Sequence, residues 1–454
     1  VKALQQFPNG FVWGAATSAY QIEGGAAEDG RGPSVWDTFA HAPGNTFDGH
    51  TGDVACGHYH KFREDVAIMK AMGLKAYRFS ISWSRVMPDG TGAVNAKGLA
   101  FYEALVDELL RAGIEPWVTL FHWDYPQALY DRGGWLNPES PSWFGEYAAI
   151  VVDRLSDRVT KWITLNEPQC FIAGGPDSAP VAPSGRLPLG HQLQATHHAM
   201  IAHGVGVDAI RGHARSAPFV GWAPVGVVYM PATDRPEDID AARRATLGVW
   251  RKDLWNNSWY ADAALKGCYP EDGLKLFDGM LPKMRSADFE RMCRPIDFYG
   301  LNIYSGTPVR AGAGGAIEIA PRPAGFARTA FNWPLDPDSL YWGPRFIHER
   351  YGLPIYITEN GLSGHDWVHT DGAVHDEFRI DFLRRYLREL RRACASSVDI
   401  RGYFQWSLMD NFEWAEGYRQ RFGLVHVDFQ TLMRTPKDSA AWYRSVIEAN
   451  GANL

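Results

Sequence analysis

Short apolar runs and longer amphipathic stretches alternate from one end of this chain to the other. Residues 11–14, 76–81, 115–121, 160–165, one segment within 219–229, 297–303, 355–358 and 402–407 are rich in β-branched and aromatic side chains and read as buried strands. Between them, residues 60–72, 99–112, 142–155, 193–211, 239–255 and 376–395 repeat apolar positions at helical spacing, and residues 437–450 close the chain with one more helix. In 60–72, for example, Phe62, Val66, Met69 and Met72 share a face; 99–112 runs into Gly113, a residue suited to the left-handed turn after a helix. Eight strands with helical crossovers require a parallel sheet, and closing that sheet on itself satisfies both edges. The predicted fold is α/β: a single eight-stranded parallel β/α (TIM) barrel with long loops at the C-terminal face. A doubly wound open sheet is the alternative, disfavoured because no Gly-x-Gly-x-x-Gly turn opens the first unit.

No linker divides the chain, so residues 1–454 are expected to form one domain, catalytic by the argument below. Two stretches, 170–190 and 305–332, are too long and too rich in Gly, Ala and Pro to be simple connections. Both follow strand ends, which makes them walls of whatever pocket the barrel carries.

Composition narrows the class. A net charge of −7 argues against a nucleic-acid partner, and no apolar run approaches membrane-spanning length. Five Cys (Cys56, Cys170, Cys268, Cys293, Cys394) form no CxxC pair, which disfavours a zinc ribbon or disulfide framework and suggests buried free thiols in a reducing compartment. With no signal-peptide core at the start, the expectation is a cytoplasmic protein with a small-molecule substrate, no nucleic acid or membrane partner, and a possible homo-oligomer. The 18 Trp admit two readings, a large aromatic core or sugar-stacking surfaces.

Placement decides between them. Thr358-Glu359-Asn360-Gly361 ends one buried run and Leu165-Asn166-Glu167-Pro168 ends another. Two strand-end glutamates are what cleavage of a glycosidic bond needs, one to donate a proton and one to attack or stabilise the sugar cation. Glu167 and Glu359 lie three strands apart, hence on opposite walls of one mouth. Pro168 is expected to keep Glu167 in extended backbone. Arg78 and Tyr304 are candidate partners that would hold Glu359 ionised and leave Glu167 protonated; a structural ion pair for Arg78 and a core tyrosine for Tyr304 are the competing readings. Gln21, His122, Asn166, Asn302 and Glu413 are candidate hydrogen-bonding groups for sugar hydroxyls, and Trp406 and Trp414 candidate stacking faces.

The chain resembles glycoside hydrolase family 1, the β-glucosidase group of retaining β-glycosidases. The resemblance rests on FPNGFVWGAATSAYQIEGG (7–25), YRFSISWSRVMPDG (77–90), VTLFHWDYPQAL (118–129), TLNEP (164–168), DFYGLNIY (297–304), YITENG (356–361), WSLMDNFEWAEGYRQRFGLVHVDF (406–429) and RTPKDSAAWY (434–443). It implies Glu167 as acid/base and Glu359 as nucleophile, assisted by Arg78, Tyr304 and Asn302. It implies a sugar site of Gln21, His122, Trp123, Asn166, Glu413 and Trp414 with Trp406 as platform, Trp333 on the leaving-group side, and Phe422 closing the glycone end. No cofactor and no metal are implied, and the substrates are small β-glycosides or short oligosaccharides: terminal β-D-glucosides, with β-D-fucosides and β-D-galactosides beside them. The chain departs from the family after Pro168, where Gln169 replaces the usual Trp, and in residues 171–185 and 305–332, which bears on the leaving-group side.

Other functions fit the residues less well. A 6-phospho-β-glycosidase would want cations where Glu413 and Trp414 stand. A thioglucosidase would lack Glu167. A non-catalytic sugar-binding barrel has no use for both glutamates. A metal-dependent hydrolase would have to use His365, His369 and His375, or His197 and His198, none at a recognised ligand spacing.

Overall fold

The computed structural model describes residues 4–174 and 187–454. The periodic runs fold as eight parallel strands: β1 (Val12–Ala16), β2 (Ala76–Ser80), β3 (Glu115–Phe121), β4 (Lys161–Asn166), β5 (Phe219–Ala223), β6 (Phe298–Asn302), β7 (Ile355–Asn360) and β8 (Ile400–Trp406). They pair in chain order, and β8 returns to β1, so the barrel is closed. Ala16 of β1 stands opposite Trp406 on one side and Arg78 on the other.

Large rings fill the barrel's lower half. The Trp117 indole meets Phe298, Tyr356 and Phe404 at centroid distances of 5.4, 4.9 and 5.1 Å. Such bulk needs small neighbours. A Cβ on Gly221 would lie 2.5 Å from the Phe298 ring, and one on Gly402 2.7 Å from Tyr356. These rings form the floor on which the upper, polar half of the barrel rests.

Helices cover the outside. In Ala96–Ala112 the Asn95 side chain caps the first turn by accepting from Lys97 N at 3.3 Å, and Gly113 ends the helix at φ 79°. Leu105, Val106 and Leu109 face the barrel fully buried, each worth about 1.5–3 kcal/mol of transfer free energy.

Several boundaries differ from expectation. The first strand begins one residue later than predicted and runs to Ala16. The helix expected over 193–211 extends over Leu189–His213. The one expected over 239–255 is Pro236–Leu247: it stops at Gly248, and the apolar residues beyond, Val249 and Trp250, are held instead by Asp272 and by the carbonyl of Ala245. Part of the insertion at 305–332 is regular, because Thr307–Ala311 pairs with Tyr229–Pro231 and with Ile317–Ile319 in a small separate sheet. Most of the predicted wall at 170–190 lies outside the described residues. Of the five cysteines only Cys56 is buried; Cys268, just past the end of a helix, is exposed. Among the described residues no helix is long and apolar enough to cross a membrane.

Candidate active site

Slips in strand register aim Glu359 and Asn166, and left-handed backbone just past the strand aims Glu167. Along β7, Tyr356 points to the barrel axis, so strict alternation would send Thr358 inward and Glu359 outward. Ile357 pairs with Leu301 but Glu359 with Asn302, so β7 carries one extra residue, and Thr358 and Glu359 both reach the interior. On β4, Ile163 pairs with Gly221 and Asn166 with Ala223, again one residue in excess, which turns Asn166 inward. Glu167 follows at φ 48°, ψ 67°, and Pro168 starts the helix Pro168–Ala173. The extended backbone expected at Glu167 is therefore not found. Pro168 excludes the right-handed helical region, and the residue takes the left-handed one, at roughly 1–2 kcal/mol. Trp123 and Trp414 also sit at positive φ, 78° and 51°. Strain of this kind gathers where side chains must be aimed. Gly361 has a different use: the carbonyl of Trp406 occupies the space a Cβ would need, so the end of β7 can close on β8 only with glycine there.

The two carboxyls meet different surroundings. Arg78 Nη1 donates to Glu359 Oε1 at 2.7 Å and Tyr304 Oη to Oε2 at 2.8 Å; Arg78 and Glu359 are buried and Tyr304 is half-buried. Arg78 is itself fixed by Thr119, by the carbonyl of Thr358 and by Asn166 Oδ1. Burial raises the Glu359 carboxyl, and Arg78, Tyr304 and Asn302 pull it back towards the ionised form. Glu167 receives Asn302 Nδ2 at 3.0 Å and faces the Cys170 thiol. Burial and the charge of Glu359 push Glu167 up to about 8. The Asn302 carboxamide lies against both carboxyls.

The other half of the pocket is a chain of forced orientations. Asn166 Oδ1 accepts from Arg78 and from Asn302, which leaves Nδ2 to donate to His122 Nε2 at 3.1 Å. His122 must then carry its proton on Nδ1, which is buried without a protein partner. Burial and Arg78 keep this imidazole neutral. Trp406 lies nearly parallel to His122 at 5.8 Å, and Trp123 stacks on Trp414 at 4.4 Å while its Nε1 donates to the carbonyl of Asn166. Gln21 Nε2 reaches Glu413 Oε2 at 3.2 Å and also Asn411 Oδ1 and the Phe412 carbonyl. Glu413 is raised to about 8 by burial and by the charges of Glu359, Glu416 and Glu167, with Gln21 opposing. Trp333 and Phe422 form the remaining wall with Tyr304, at 5.1 and 6.2 Å from its ring.

All fourteen residues singled out from the sequence thus line or support one pocket. Thr119, Thr358 and Asn411 had no assigned role, yet they hold Arg78, Asn302 and Gln21. Cys170 was counted only as a thiol. A position three residues after Glu167 on a helical turn was the signal that could have found it.

A metal reading finds little. Among the described residues, His375, Glu377 and Asp438 are close enough to share an ion. Both His375 ring nitrogens already meet carboxylates, Asp371 at 2.9 Å and Asp438 at 2.6 Å, which raise it to about 9. An imidazolium cannot ligate a metal. His365 and His369 are not in that group.

Known proteins align over the whole length. The model for glycosyl hydrolase family 1 matches residues 3–452. Beta-glucosidase A of Thermotoga maritima is 41% identical over 99% of each chain. A bifunctional beta-D-glucosidase/beta-D-fucosidase of Bifidobacterium breve is 41% identical over 98% of this chain and 99% of its own. The structure of the Thermotoga maritima beta-glucosidase in complex with glucoimidazole superposes with a TM-score of 0.90 at 42% identity, covering 99% of this chain and 100% of that one.

Proposed function

The chain belongs to glycosyl hydrolase family 1, and from that premise we propose that it is a retaining β-glucosidase in which Glu359 attacks and Glu167 transfers the proton. The observation that carries the assignment is the unequal pairing of the two carboxyls. Glu359 has a guanidinium and a phenol; Glu167 has an amide and a thiol and no cation.

In the first step a Glu359 oxygen forms a bond to the anomeric carbon, the bond to the leaving oxygen breaks, and the Glu167 proton passes to that oxygen. Glu359 then carries a neutral ester. Its negative charge was one cause of the raised Glu167 pKa, so with that charge gone the pKa of Glu167 falls and its carboxylate persists, ready to act as base. In the second step Glu167 takes a proton from water, the water oxygen bonds to the anomeric carbon, and the ester bond to Glu359 breaks. This route needs the two carboxyls about 5–5.5 Å apart, whereas inversion needs roughly 6.5–9.5 Å to admit water between them.

Glu413, Gln21, Trp414, His122 and Asn166 surround the sugar, with the free Nδ1–H of His122 as a donor. No Lys or Arg among the described residues hydrogen-bonds Glu413, and its raised pKa makes it largely neutral at pH 7. Phosphorylated sugars are then excluded by the lack of a cation rather than by repulsion from a full negative charge. Either epimer at carbon four can bond a carboxyl there, so fucosides and galactosides are secondary substrates; the Bifidobacterium breve relative's name, glucosidase and fucosidase, is in keeping with this. Proton NMR of the first product formed from an aryl β-glucoside tests the reading: β-glucose is expected, and α-glucose as the first product overturns it.

A further inference from the structure

Outside the pocket, a buried cluster of charges joins four segments far apart in sequence. Arg379, on the helix Glu377–Ala395, bonds Asp366 and Asp376; Lys437 bonds Asp366 and Asp410; Arg421 bonds Asp410 at 2.6 Å. Three carboxylates meet three cations. All the side chains are fully buried except that of Arg421, which is 19% exposed. Buried ion pairs add little net stability, because desolvating the charges offsets their attraction. The cluster's contacts indicate what else it does.

Several of its other hydrogen bonds go to backbone on either side of the pocket, while Asp376 also accepts from Ser439 and Arg421 donates to the carbonyl of Val427. Arg379 donates to the carbonyl of Leu362, three residues beyond Glu359, and to those of Arg421 (3.2 Å) and Phe422 (3.5 Å). Asp410 Oδ1 accepts from Gly423 N at 2.9 Å, and Asp410 immediately precedes Asn411, Phe412 and Glu413. Gly364 and Arg421 are bridged backbone to backbone at 2.9 Å. The segment 407–422, which carries Glu413, Trp414 and Phe422, is thereby tied at both ends to the chain leaving Glu359.

We propose that Asp410, Arg421, Lys437 and Arg379 are positioning residues for sugar specificity: they set the distance between the nucleophile's strand end and the segment that holds Glu413. None of the four hydrogen-bonds a pocket side chain. The inference rests on the reading of Glu413 as a group that binds the hydroxyls at carbons four and six. Its consequence is selective: loosening the tie should harm sugars that use those hydroxyls more than sugars that lack one.

The test compares kcat/KM for an aryl β-glucoside with that for the matching β-xyloside, which lacks the carbon-six hydroxymethyl group. Asp410→Asn keeps an acceptor for Gly423 but loses the charge. Its glucoside-to-xyloside ratio should fall on the order of tenfold, with KM for the glucoside rising and the alkaline limb of the pH profile unmoved. Because Asp410→Asn leaves Lys437 short of a charge partner, its folding is checked by circular dichroism. Arg421→Met, at the partly exposed edge, supplies the milder case and should move the ratio in the same direction, with Arg421→Lys restoring it. An unchanged ratio in folded Arg421→Met, or an equal loss on both sugars, overturns the proposal. A wild-type protein inactive on the β-glucoside would instead sink the functional reading, so the two failures are distinguishable.

Discussion

Glu359 and Glu167 are the same residue type in the same pocket, yet one is surrounded by donors of positive character and the other is not. Glu359 ends a strand and accepts from Arg78 and Tyr304. Glu167 stands one residue beyond its strand, in left-handed backbone, with an amide as its strongest partner. Burial raises both; Arg78 opposes it at Glu359 by charge and by a direct hydrogen bond, and at Glu167 only by its more distant charge. On the proposed reading this difference is what divides acid from nucleophile without changing the chemistry of the side chain: the partners come from β2 and from just past the end of β6, so the assignment would reside in neighbouring strands.

The harshest way to break the comparison is to delete one member. Glu359→Ala should lower kcat for an aryl glucoside by about 100,000-fold or more. Azide should then restore turnover and give an α-configured product, since the small anion enters from the face the carboxylate occupied. Azide rescue yielding a β product would reverse the two roles. Glu167→Ala should show a different pattern: on the order of a thousandfold loss for alkyl glucosides, whose leaving groups need a proton, and far less for dinitrophenyl glucoside. Equal losses on both substrates would take the acid role away from Glu167.

A weaker perturbation acts on the sugar end. Glu413→Ser should cost glucosides about 2–4 kcal/mol in transition-state binding by leaving buried hydroxyls unpaired. Glu413→Gln should cost less. Glu413 is raised to about 8, and a neutral amide resembles the protonated acid expected at pH 7 more closely than serine does. If Gln proves as damaging as Ser, Glu413 works as an anion.

The barrel was legible because strands and helices have different hydrophobic periods, and the pocket because polar residues gathered at the ends of strands. What stayed hidden depends on pairing between strands. The extra residues in β4 and β7 that aim Asn166 and Glu359 appear only when register is known. Thr119 and Thr358 look like ordinary strand residues, since threonine is common in sheets for its shape alone. The positive φ of Glu167 was masked by Pro168, which rules out one region of backbone space without choosing between the others. Residues 239–255 misled because Val249, Trp250 and Trp255 continue an apolar rhythm past Gly248 while packing as irregular chain. The charges at Asp366, Arg379 and Lys437 lie on three separate segments, and nothing in linear order brings them together.

The finest test leaves both glutamates in place and changes only what surrounds Glu359. Arg78 and Tyr304 both lower its pKa, so removing either must raise it. Glu359 has to be ionised to attack, which makes its titration the acidic limb of the kcat/KM profile and that of Glu167 the alkaline limb. Arg78→Met should therefore move the acidic limb to higher pH by about one unit or more, and Tyr304→Phe by a smaller amount in the same direction. The alkaline limb should stay near its wild-type position while Glu359 remains charged, because the main causes of the raised Glu167 pKa, burial and the Glu359 carboxylate, are untouched. A profile narrowed from the acidic side alone would place the two partners on Glu359. Movement of the alkaline limb alone would mean that Arg78 acts chiefly on Glu167, and the contrast between the two carboxyls would have to be drawn from Asn302 and burial instead.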